Sequence, residues 1–336
     1  MASAPGAIRG VFPPLRSVDY HTAGEPFRIV ASPPVEIRGA TVAERRTFAI
    51  ADPAVDGLRR LLCFEPRGHA DMYGCFVTRP DDPGAHFGAL FWHKDGFSTA
   101  CGHGTIALGV WAVRSGLVAA DPSGVTEVII DVPSGRVRAR VHDDHVNFVN
   151  VPSYVLARDV PVCGTVATLA FGGAIYACVD AHTLGLAVTR ERLPELITVG
   201  REIKRALNDV AQHPSDPRLS GVYGTIFFDD LGRDGDDVHQ RNVTIFADGE
   251  VDRSPCGSGT CARLADLVSC GAVRPGQELV HDSIIGTQFR ARVLSEVLAD
   301  GRPAIIPQIT GMAYPTGEAV FTVDPDDPLV PGFVLR

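Results

Sequence analysis

The sequence predicts an α+β protein of two similar halves, each made of short strands around one central helix. The main observation is an internal repeat: residues 101–107 and 256–262 share the pattern C-G-x-G-T-x-A and lie 155 positions apart in a chain of 336 residues. Many short apolar or alternating runs bounded by Gly, Pro and Asp predict strands. The length and the 45% content of hydrophobic residues suit two domains, each with its own core.

Each copy of the repeat predicts a cysteine at the start of a glycine-rich helix. The helical pattern that follows Cys101 and Cys256 lasts about three turns. A glycine that can end a helix follows fifteen residues after each cysteine, at Gly116 and Gly271. Two related halves of the chain are therefore expected.

The division between the halves is predicted near residues 152–159. The N-terminal half would span 17–155, carry the first repeat and be completed by 320–336. The C-terminal half would span 156–319 and carry the second repeat. A longer helix is predicted over 190–211, where Leu, Ile and Val recur at mostly three- and four-residue spacing.

Strands are predicted where apolar runs end in turn residues. The clearest strands are 128–132, 137–141, 243–246 and 289–293. Hairpin turns are predicted at 133–135, 248–249 and 300–301.

The uncharged segment 160–179 has the length of a membrane span. Because it contains Pro161 and the pair Gly172–Gly173 and is rich in Val, we predict two buried strands that meet at the glycine pair.

Charge and the first residues argue against several classes of protein. The 31 Lys and Arg residues against 40 Asp and Glu residues give a net charge of −9, which argues against a nucleic-acid partner or a membrane-surface partner. The first sixteen residues contain three prolines and no continuous apolar stretch, so they do not resemble an export signal. We expect a cytoplasmic protein whose first fifteen or so residues are disordered.

Eight cysteines without an export signal are expected to remain free thiols. No pair has the C-x-x-C spacing, so a zinc site has little support. A free cysteine is commonly a small buried hydrophobic residue. We expect this role for six of them: Cys63, Cys75, Cys163, Cys178, Cys261 and Cys270, with Cys261 and Cys270 facing the core from the second helix. The two cysteines of the repeat stand apart because their surroundings recur.

A cysteine at a helix start is suited to acid–base chemistry. The first turn of a helix carries unpaired N–H groups and a partial positive charge, which favours thiolate over thiol. Glycines leave those N–H groups free to bind a carboxylate. Two such sites facing each other suit the removal and return of a proton on opposite faces of one carbon. Helix N-termini aimed at the carboxylate would stabilise the carbanion, an effect worth roughly 3–4 kcal/mol per donor in a barrier.

The segments around these residues resemble the proline racemase family, which includes 4-hydroxyproline 2-epimerases and trans-3-hydroxyproline dehydratases. The resembling segments cover nearly the whole chain and are HTAGEPFR at 21–28, GHADMYG at 68–74, STACGHGT at 98–105, AFGG at 170–173, DRSPCGSGT at 252–260 and SIIGT at 283–287. The resemblance implies a diaminopimelate-epimerase-like α+β fold, in which two pseudo-symmetric domains, each a curved and mainly antiparallel sheet around a central helix, hold the substrate between them. It also implies chemistry without a cofactor or a metal ion.

The resemblance assigns roles to seven residues. The acid/base pair would be Cys101 and Cys256; the backbone groups that hold the substrate carboxylate would be those of Gly102, His103, Gly257 and Ser258; the residue that contacts the ring nitrogen would be Asp252. An aspartate there suits a secondary ammonium. Other interpretations stay open for two of these residues: His103 could cap its own turn, and Asp252 could pair with Arg253 or cap its turn.

Cys256 favours inversion over elimination. In dehydratases of the family the matching residue is usually threonine, which cannot serve efficiently as a proton donor or acceptor. We therefore predict a racemase or 2-epimerase of proline or hydroxyproline. The surroundings at 95–104 and 246–252 are closer to the dehydratase branch, so a trans-3-hydroxy-L-proline dehydratase that forms pyrroline-2-carboxylate is the alternative.

Two further classes stay open: a binder of amino acids without catalytic activity, and a thiol redox protein. The binder would not exchange the α-hydrogen of proline for deuterium, and the redox protein would form a Cys101–Cys256 disulfide. A small imino acid is the expected partner, and a homodimer is expected by analogy only. Residues that read a ring hydroxyl are expected from loops near 213–223.

Overall fold

A computed structural model of the chain describes residues 13–335. The first fifteen or so residues, which we expect to be disordered, lie almost entirely outside the described residues. So do most of the first sixteen residues, which we expect not to be an export signal. Among the described residues, no helix is both long enough and apolar enough to span a membrane.

The described residues form five α-helices, two of which belong to the repeat. Their bounds are α1 Val42–Ala51, α2 Pro53–Cys63, α3 Gly102–Arg114, α4 Leu193–Leu207 and α5 Gly257–Ser269. The prediction of a helix at 190–211 is confirmed by α4, which is shorter at both ends. Helices α1 and α2 were not predicted. The signal for α1 was the sequence T-x-x-E at 41–44: the Thr41 hydroxyl accepts the Glu44 N–H, and the Glu44 carboxylate accepts the Ala40 N–H. The signal for α2 was an N-cap aspartate before a proline, since the Asp52 carboxylate accepts the N–H groups of residues 54 and 55.

Eighteen strands make up most of the remaining described chain. They are β1 Leu15–Thr22, β2 Glu25–Val30, β3 Tyr73–Thr78, β4 Phe87–His93, β5 Gly96–Phe97, β6 Thr126–Val132, β7 Gly135–Val141, β8 Val146–Val149, β9 Tyr154–Val162, β10 Thr165–Phe171, β11 Ile175–Asp180, β12 Val222–Asp234, β13 Asp237–Phe246, β14 Glu250–Asp252, β15 Leu279–Ser283, β16 Gln288–Ala299, β17 Arg302–Gly311 and β18 Ala313–Phe321. The four predicted strands and three predicted hairpin turns are confirmed. The segment 160–179 contains two paired strands, β10 and β11, as predicted.

The strands form one continuous ladder that passes around α3 and then around α5. Its order is β18-β1-β2-β3-β4-β6-β7-β8-β17-β16-β15-β13-β12-β11-β10-β9, with β5 beside β4 and β14 beside β13. We call β1–β8 with β18 the α3 half, and β9–β17 the α5 half. The pairing of β8 with β17 joins the two halves. The exact division at 155 and 319 stays a prediction.

The two central helices are buried because strands surround them. Residues 102–112 of α3 and 257–267 of α5 are buried without interruption. A helix that is buried around its whole circumference has no solvent face, which explains why neither repeat shows the one-sided pattern of a surface helix. The two buried charges of α5, Arg263 and Asp266, form an ion pair with each other. Both helices end before a glycine with positive φ, at Gly116 and Gly271, as predicted.

All eight cysteines are free, as expected. The expectation of burial was wrong for two of them. Cys163 is exposed because it lies in the turn between β9 and β10 with φ of +47°, and Cys270 is exposed because it follows the last turn of α5. Cys261 faces the core as expected.

Candidate active site

The starts of α3 and α5 contact each other through their glycines. A Cβ atom on Gly102 would lie 2.6 Å from the Cα atom of Gly257, and a Cβ on Gly257 would lie equally close to the Cα of Gly102. Any larger side chain would force the two helices apart, so the close approach requires glycine at both positions. The repeat therefore brings its two cysteines to one place in the fold.

The two cysteines hold their helix starts in different ways. Cys101 has extended backbone, with φ of −156°, and its Sγ accepts the N–H of Gly104 at 3.2 Å. Cys256 has φ of +63°, a value that residues other than glycine rarely adopt, and its side chain forms no capping hydrogen bond with the first turn of α5. Its Sγ instead lies 3.8 Å from the hydroxyl of Tyr176. Strained backbone of this kind persists where surrounding structure holds it, and it is common at functional sites.

Cys101 and Cys256 both line one small cavity between the two halves. The cavity is lined by Tyr73, Ala100, Cys101, His103, Tyr176, Tyr223, Phe246, Asp252, Cys256 and Ser258. Five of the seven residues singled out from the sequence are in this lining, and the other two are the touching glycines. First-turn amides of a helix have no partner within the helix, so those at 102–103 and 257–258 are suited to bind an anion.

Asp252 confirms one of the interpretations that the sequence left open, the capping of its own turn. One carboxylate oxygen accepts the N–H and the hydroxyl of Ser254, at 2.8 and 2.7 Å, and so caps the turn. The other oxygen lies 3.9 Å from Nδ1 of His103. The pairing with Arg253 is not found, because that guanidinium contacts Asp71 at 2.8 Å.

His103 places its ring in the cavity. Its Nε2 lies 3.5 Å from Sγ of Cys101, and its ring meets the ring of Tyr73 edge to face, with centroids 5.0 Å apart. Burial lowers the pKa of His103, so a neutral imidazole is expected there. The side chain is therefore placed to contact a bound ligand.

The acidity of the two thiols is opposite to the sequence expectation. Burial raises the pKa of Cys101 and of Cys256 well above the usual value, and the nearby Asp252 carboxylate raises both further. The N–H of Gly104 lowers the pKa of Cys101, but this helix-start effect is smaller than that of burial. Thiolate stabilisation at a helix start assumed partial exposure, whereas each cysteine is only 5% exposed.

Four aromatic residues of the lining were not identified from the sequence as site residues. Tyr73, Tyr176, Tyr223 and Phe246 come from strands or strand starts in both halves. Tyr73 forms hydrogen bonds with Ser98 and, at 3.0 Å, with the hydroxyl of Tyr223. A weak signal existed, because Tyr223 ends the region 213–223 from which ring-hydroxyl contacts were expected.

A second cluster near the cavity offers metal-ligand atoms. Within the described part of the chain, His93, Asp95 and Glu250 bring one such atom each to within 4.8 Å of the others. However, Nδ1 of His93 already accepts the Asp95 N–H at 3.2 Å, and the ammonium of Lys94 lies 3.2 Å from Oδ2 of Asp95. These contacts occupy the ligand atoms of His93 and Asp95, whereas the Glu250 carboxylate accepts no hydrogen bond from the described residues. The Lys94 charge beside Asp95 makes the cluster poorly suited to a cation.

Comparison with known proteins gives full-length matches. A family model described as "Proline racemase" matches residues 17–334. A 3-hydroxyproline 2-epimerase of Burkholderia multivorans is 44% identical over 334 residues, which cover 96% of this chain and 98% of that protein. A trans-3-hydroxy-L-proline dehydratase of Bacillus thuringiensis is 42% identical over 331 residues, which cover 95% and 97%.

Solved structures give the same result for the fold. A hydroxyproline epimerase from Agrobacterium vitis with bound trans-4-OH-L-proline superposes with a TM-score of 0.87 at 31% identity, covering 96% of each chain. This likeness confirms the α+β fold of diaminopimelate-epimerase type that was expected from the sequence.

Proposed function

The chain belongs to the proline racemase family, and on this basis we propose that it inverts the α-carbon of proline or a hydroxyproline by a two-base mechanism. The family and its named relatives establish the coarser statement, that this is an enzyme of proline or hydroxyproline, acting as a racemase or epimerase or as a 3-hydroxyproline dehydratase. In the proposed reaction, Cys101 and Cys256 exchange the roles of base and acid with the direction of reaction.

One observation carries the proposal: the two thiols border the same cavity from the starts of two different helices. Inversion requires a base on one face of the carbon and an acid on the other. Two chemically equivalent groups suit a reversible reaction, because each serves as base in one direction and as acid in the other. A single nucleophile would not need a second cysteine in the same lining.

The raised thiol pKa values agree with this chemistry. At neutral pH the cysteine that acts as the acid is a neutral thiol, because burial disfavours its ionised form. The partner that does ionise is a stronger base than an exposed thiolate, which helps it remove a weakly acidic α-hydrogen. The proposed cycle starts from one thiolate and one thiol and ends with their roles exchanged.

The backbone amides at 102–103 and 257–258 are proposed to bind the substrate carboxylate. Negative charge spreads onto that carboxylate when the α-hydrogen leaves, and N–H groups already aimed at it stabilise the charge without reorganisation. We propose that the ring ammonium contacts the carboxylate of Asp252, whose second oxygen is not used by the turn. His103 and Ser258 would contact the bound ligand beside these groups.

The tyrosine hydroxyls favour a hydroxylated ring over plain proline. Burial raises the pKa of Tyr73 and Tyr223, which keeps both phenols neutral and able to donate a hydrogen bond. The two hydroxyls are already joined at 3.0 Å. A hydroxyl group on the substrate ring could form a further hydrogen bond with this pair of tyrosine hydroxyls, whereas proline has no group that could do so.

Elimination is the second candidate, because relatives of nearly equal identity carry both names. The dehydratase of Bacillus thuringiensis is 42% identical and the epimerase of Burkholderia multivorans 44% identical, so overall identity does not separate the two reactions. Elimination of the C3 hydroxyl needs only one base. The presence of Cys256 makes inversion our first choice.

Incubation in D₂O tests both candidates together. L-proline, trans-4-hydroxy-L-proline and trans-3-hydroxy-L-proline would each be followed by NMR at the α-position. Inversion incorporates deuterium and produces the opposite α-configuration, whereas elimination produces pyrroline-2-carboxylate. Elimination of trans-3-hydroxy-L-proline without inversion of any substrate would replace the proposal by the second candidate.

We also propose that the reaction needs no cofactor or metal ion and that the enzyme works in the cytoplasm. Assays after exhaustive treatment with a chelator check the first point. A homodimer stays a prediction by analogy, and sedimentation of the purified chain would test it.

A further inference from the structure

We infer that Glu25 and Asp71 of the α3 half, together with Arg253 of the α5 half, form a clamp that closes the two halves and positions Asp252. The inference rests on the proposed function, since positioning Asp252 matters only if that residue contacts the substrate. Two sequence segments, HTAGEPFR and GHADMYG, supply the two carboxylates, to which the proposed reaction assigns no role.

The clamp binds the backbone on both sides of Asp252. The Asp71 carboxylate accepts the N–H of Val251 at 3.1 Å, and the Glu25 carboxylate accepts the N–H of Arg253 at 2.7 Å. Both bonds run from the α3 half to the strand end β14 of the α5 half. Asp252 is therefore held between two amides whose acceptors belong to the opposite half of the molecule.

The side chain of Arg253 joins the two carboxylates. Its guanidinium donates to Asp71 at 2.8 Å and lies 3.8 Å from the Glu25 carboxylate. Glu25 is fully buried, and its other oxygen, Oε1, has no hydrogen-bond partner among the described residues. A buried carboxylate is costly unless it is paired, so the Arg253 charge is needed when the halves are closed.

The incomplete pairing of Glu25 keeps the clamp from being permanent. Burial raises the pKa of Glu25 well above its usual range, and the carboxylate of Asp252 raises it further. Opening would return this carboxyl group to water and recover its hydration. Closing recovers two amide hydrogen bonds and an ion pair. Opposing free energies of this kind suit an element that must open for substrate and close for reaction.

A chain of hydrogen bonds connects the clamp to the second cysteine. Asp252 accepts from the Ser254 hydroxyl at 2.7 Å, and the Ser254 oxygen accepts the N–H of Cys256 at 3.1 Å. The clamp therefore sets the position of the Asp252 carboxylate and supports the strained backbone of Cys256. Glu25, Asp71 and Arg253 are positioning residues, since none of them is in the cavity lining.

Steady-state kinetics of Asp71→Asn and Arg253→Gln test the clamp. If only the closed form binds substrate productively, a smaller closed fraction raises the apparent dissociation constant in proportion. We expect KM to rise roughly thirtyfold in each variant, with kcat reduced by less than about threefold. The double variant should raise KM about as much as either single variant, because both remove the same ion pair.

Asp131→Asn is the matched control. Asp131 is a buried carboxylate that accepts from Arg136 at 2.7 Å and from the Asp81 N–H at 2.8 Å, all within the α3 half. It should lower the melting temperature without changing KM. An unchanged KM in Asp71→Asn, or a KM increase in Asp131→Asn as large as that in Asp71→Asn, would overturn the clamp.

A second measurement does not depend on turnover. Hydrogen–deuterium exchange of the peptide covering 249–256 should be faster in Asp71→Asn than in the wild type by roughly tenfold or more, while exchange of the 102–112 helix stays unchanged. Equal exchange of 249–256 in both proteins would refute the clamp even if the enzyme were active. A wild type that turns over no imino acid would refute the proposed function and leave this exchange result standing.

Discussion

Replacement of Cys256 by serine tests whether inversion needs two thiols. The change exchanges one buried sulfur for a smaller oxygen that lies near the hydroxyl of Tyr176, the group now 3.8 Å from Sγ. An oxygen at that distance is too far away for a hydrogen bond, so the buried serine hydroxyl loses its hydration without gaining this partner, and we expect a stability loss of about 1–3 kcal/mol. Cys261→Ser is the matched control, because Cys261 is a buried cysteine of the same helix outside the cavity.

The expected loss of inversion follows from the proposed role of Cys256, which takes part in proton transfer in both directions of the reaction. General acid–base catalysis by one positioned group contributes roughly 10²–10⁴-fold, and Cys256 would act as acid in one direction and as base in the other. Inversion in both directions should therefore fall by about 10³-fold, which corresponds to about 4 kcal/mol in the barrier. Cys261→Ser should keep the wild-type rate.

The assay is NMR of each enantiomer in D₂O. In Cys256→Ser the remaining thiol of Cys101 can still remove and return a proton on its own face, so one enantiomer should exchange its α-hydrogen with retention of configuration. In Cys101→Ser the other enantiomer should exchange. Inversion by Cys256→Ser at a rate near that of the wild type would refute the two-base mechanism, and exchange of the same enantiomer by both variants would refute the placement of the thiols on opposite faces.

Three further changes test the geometry of the cavity. Asp252→Asn should move the pH midpoint of iodoacetamide alkylation of Cys101 and Cys256 downward, because the Asp252 carboxylate raises the pKa of both thiols in the wild type. Mass spectrometry of quenched samples measures this midpoint, and an unchanged or higher midpoint contradicts the prediction. Tyr73→Phe should lower kcat/KM about tenfold for trans-3- and trans-4-hydroxy-L-proline and leave L-proline within about threefold; equal losses on all three substrates would reject a contact with the ring hydroxyl. Gly102→Ala should lower kcat about a hundredfold, since its Cβ would lie 2.6 Å from the facing helix start; wild-type kcat in a folded variant would show that this close contact is not required.

Patterns that are local in the chain could be predicted well. The repeat identified α3 and α5 and their ends, because the cysteine before each helix, the small residues of its first turn and the glycine after its end all lie within sixteen consecutive residues. Turn residues identified the hairpins for the same reason. Of the two unpredicted helices, α1 is marked mainly by its cap, since Arg and Ala dilute its apolar pattern. Helix α2 does carry a helical pattern, because Val55, Leu58, Leu61 and Leu62 lie on one buried face.

The lining of the cavity depends on distant parts of the chain. Tyr73 and Tyr223 are 150 positions apart, yet their hydroxyls are joined at 3.0 Å. Glu25 and Arg253 are still farther apart in sequence. No spacing rule connects such residues, because the order of strands in the ladder decides which of them meet.

By itself, the sequence determined the α+β architecture, the two cysteine-led helices and the family to which the chain belongs, since these depend on residues that act over one turn or one strand. Only the tertiary structure decided that the two helix starts touch, that burial outweighs the helix-start charge on each thiol, and that carboxylates of one half hold the aspartate of the other. The physical reason is that solvent exclusion and contact across the halves exist only after the ladder has wrapped around both helices.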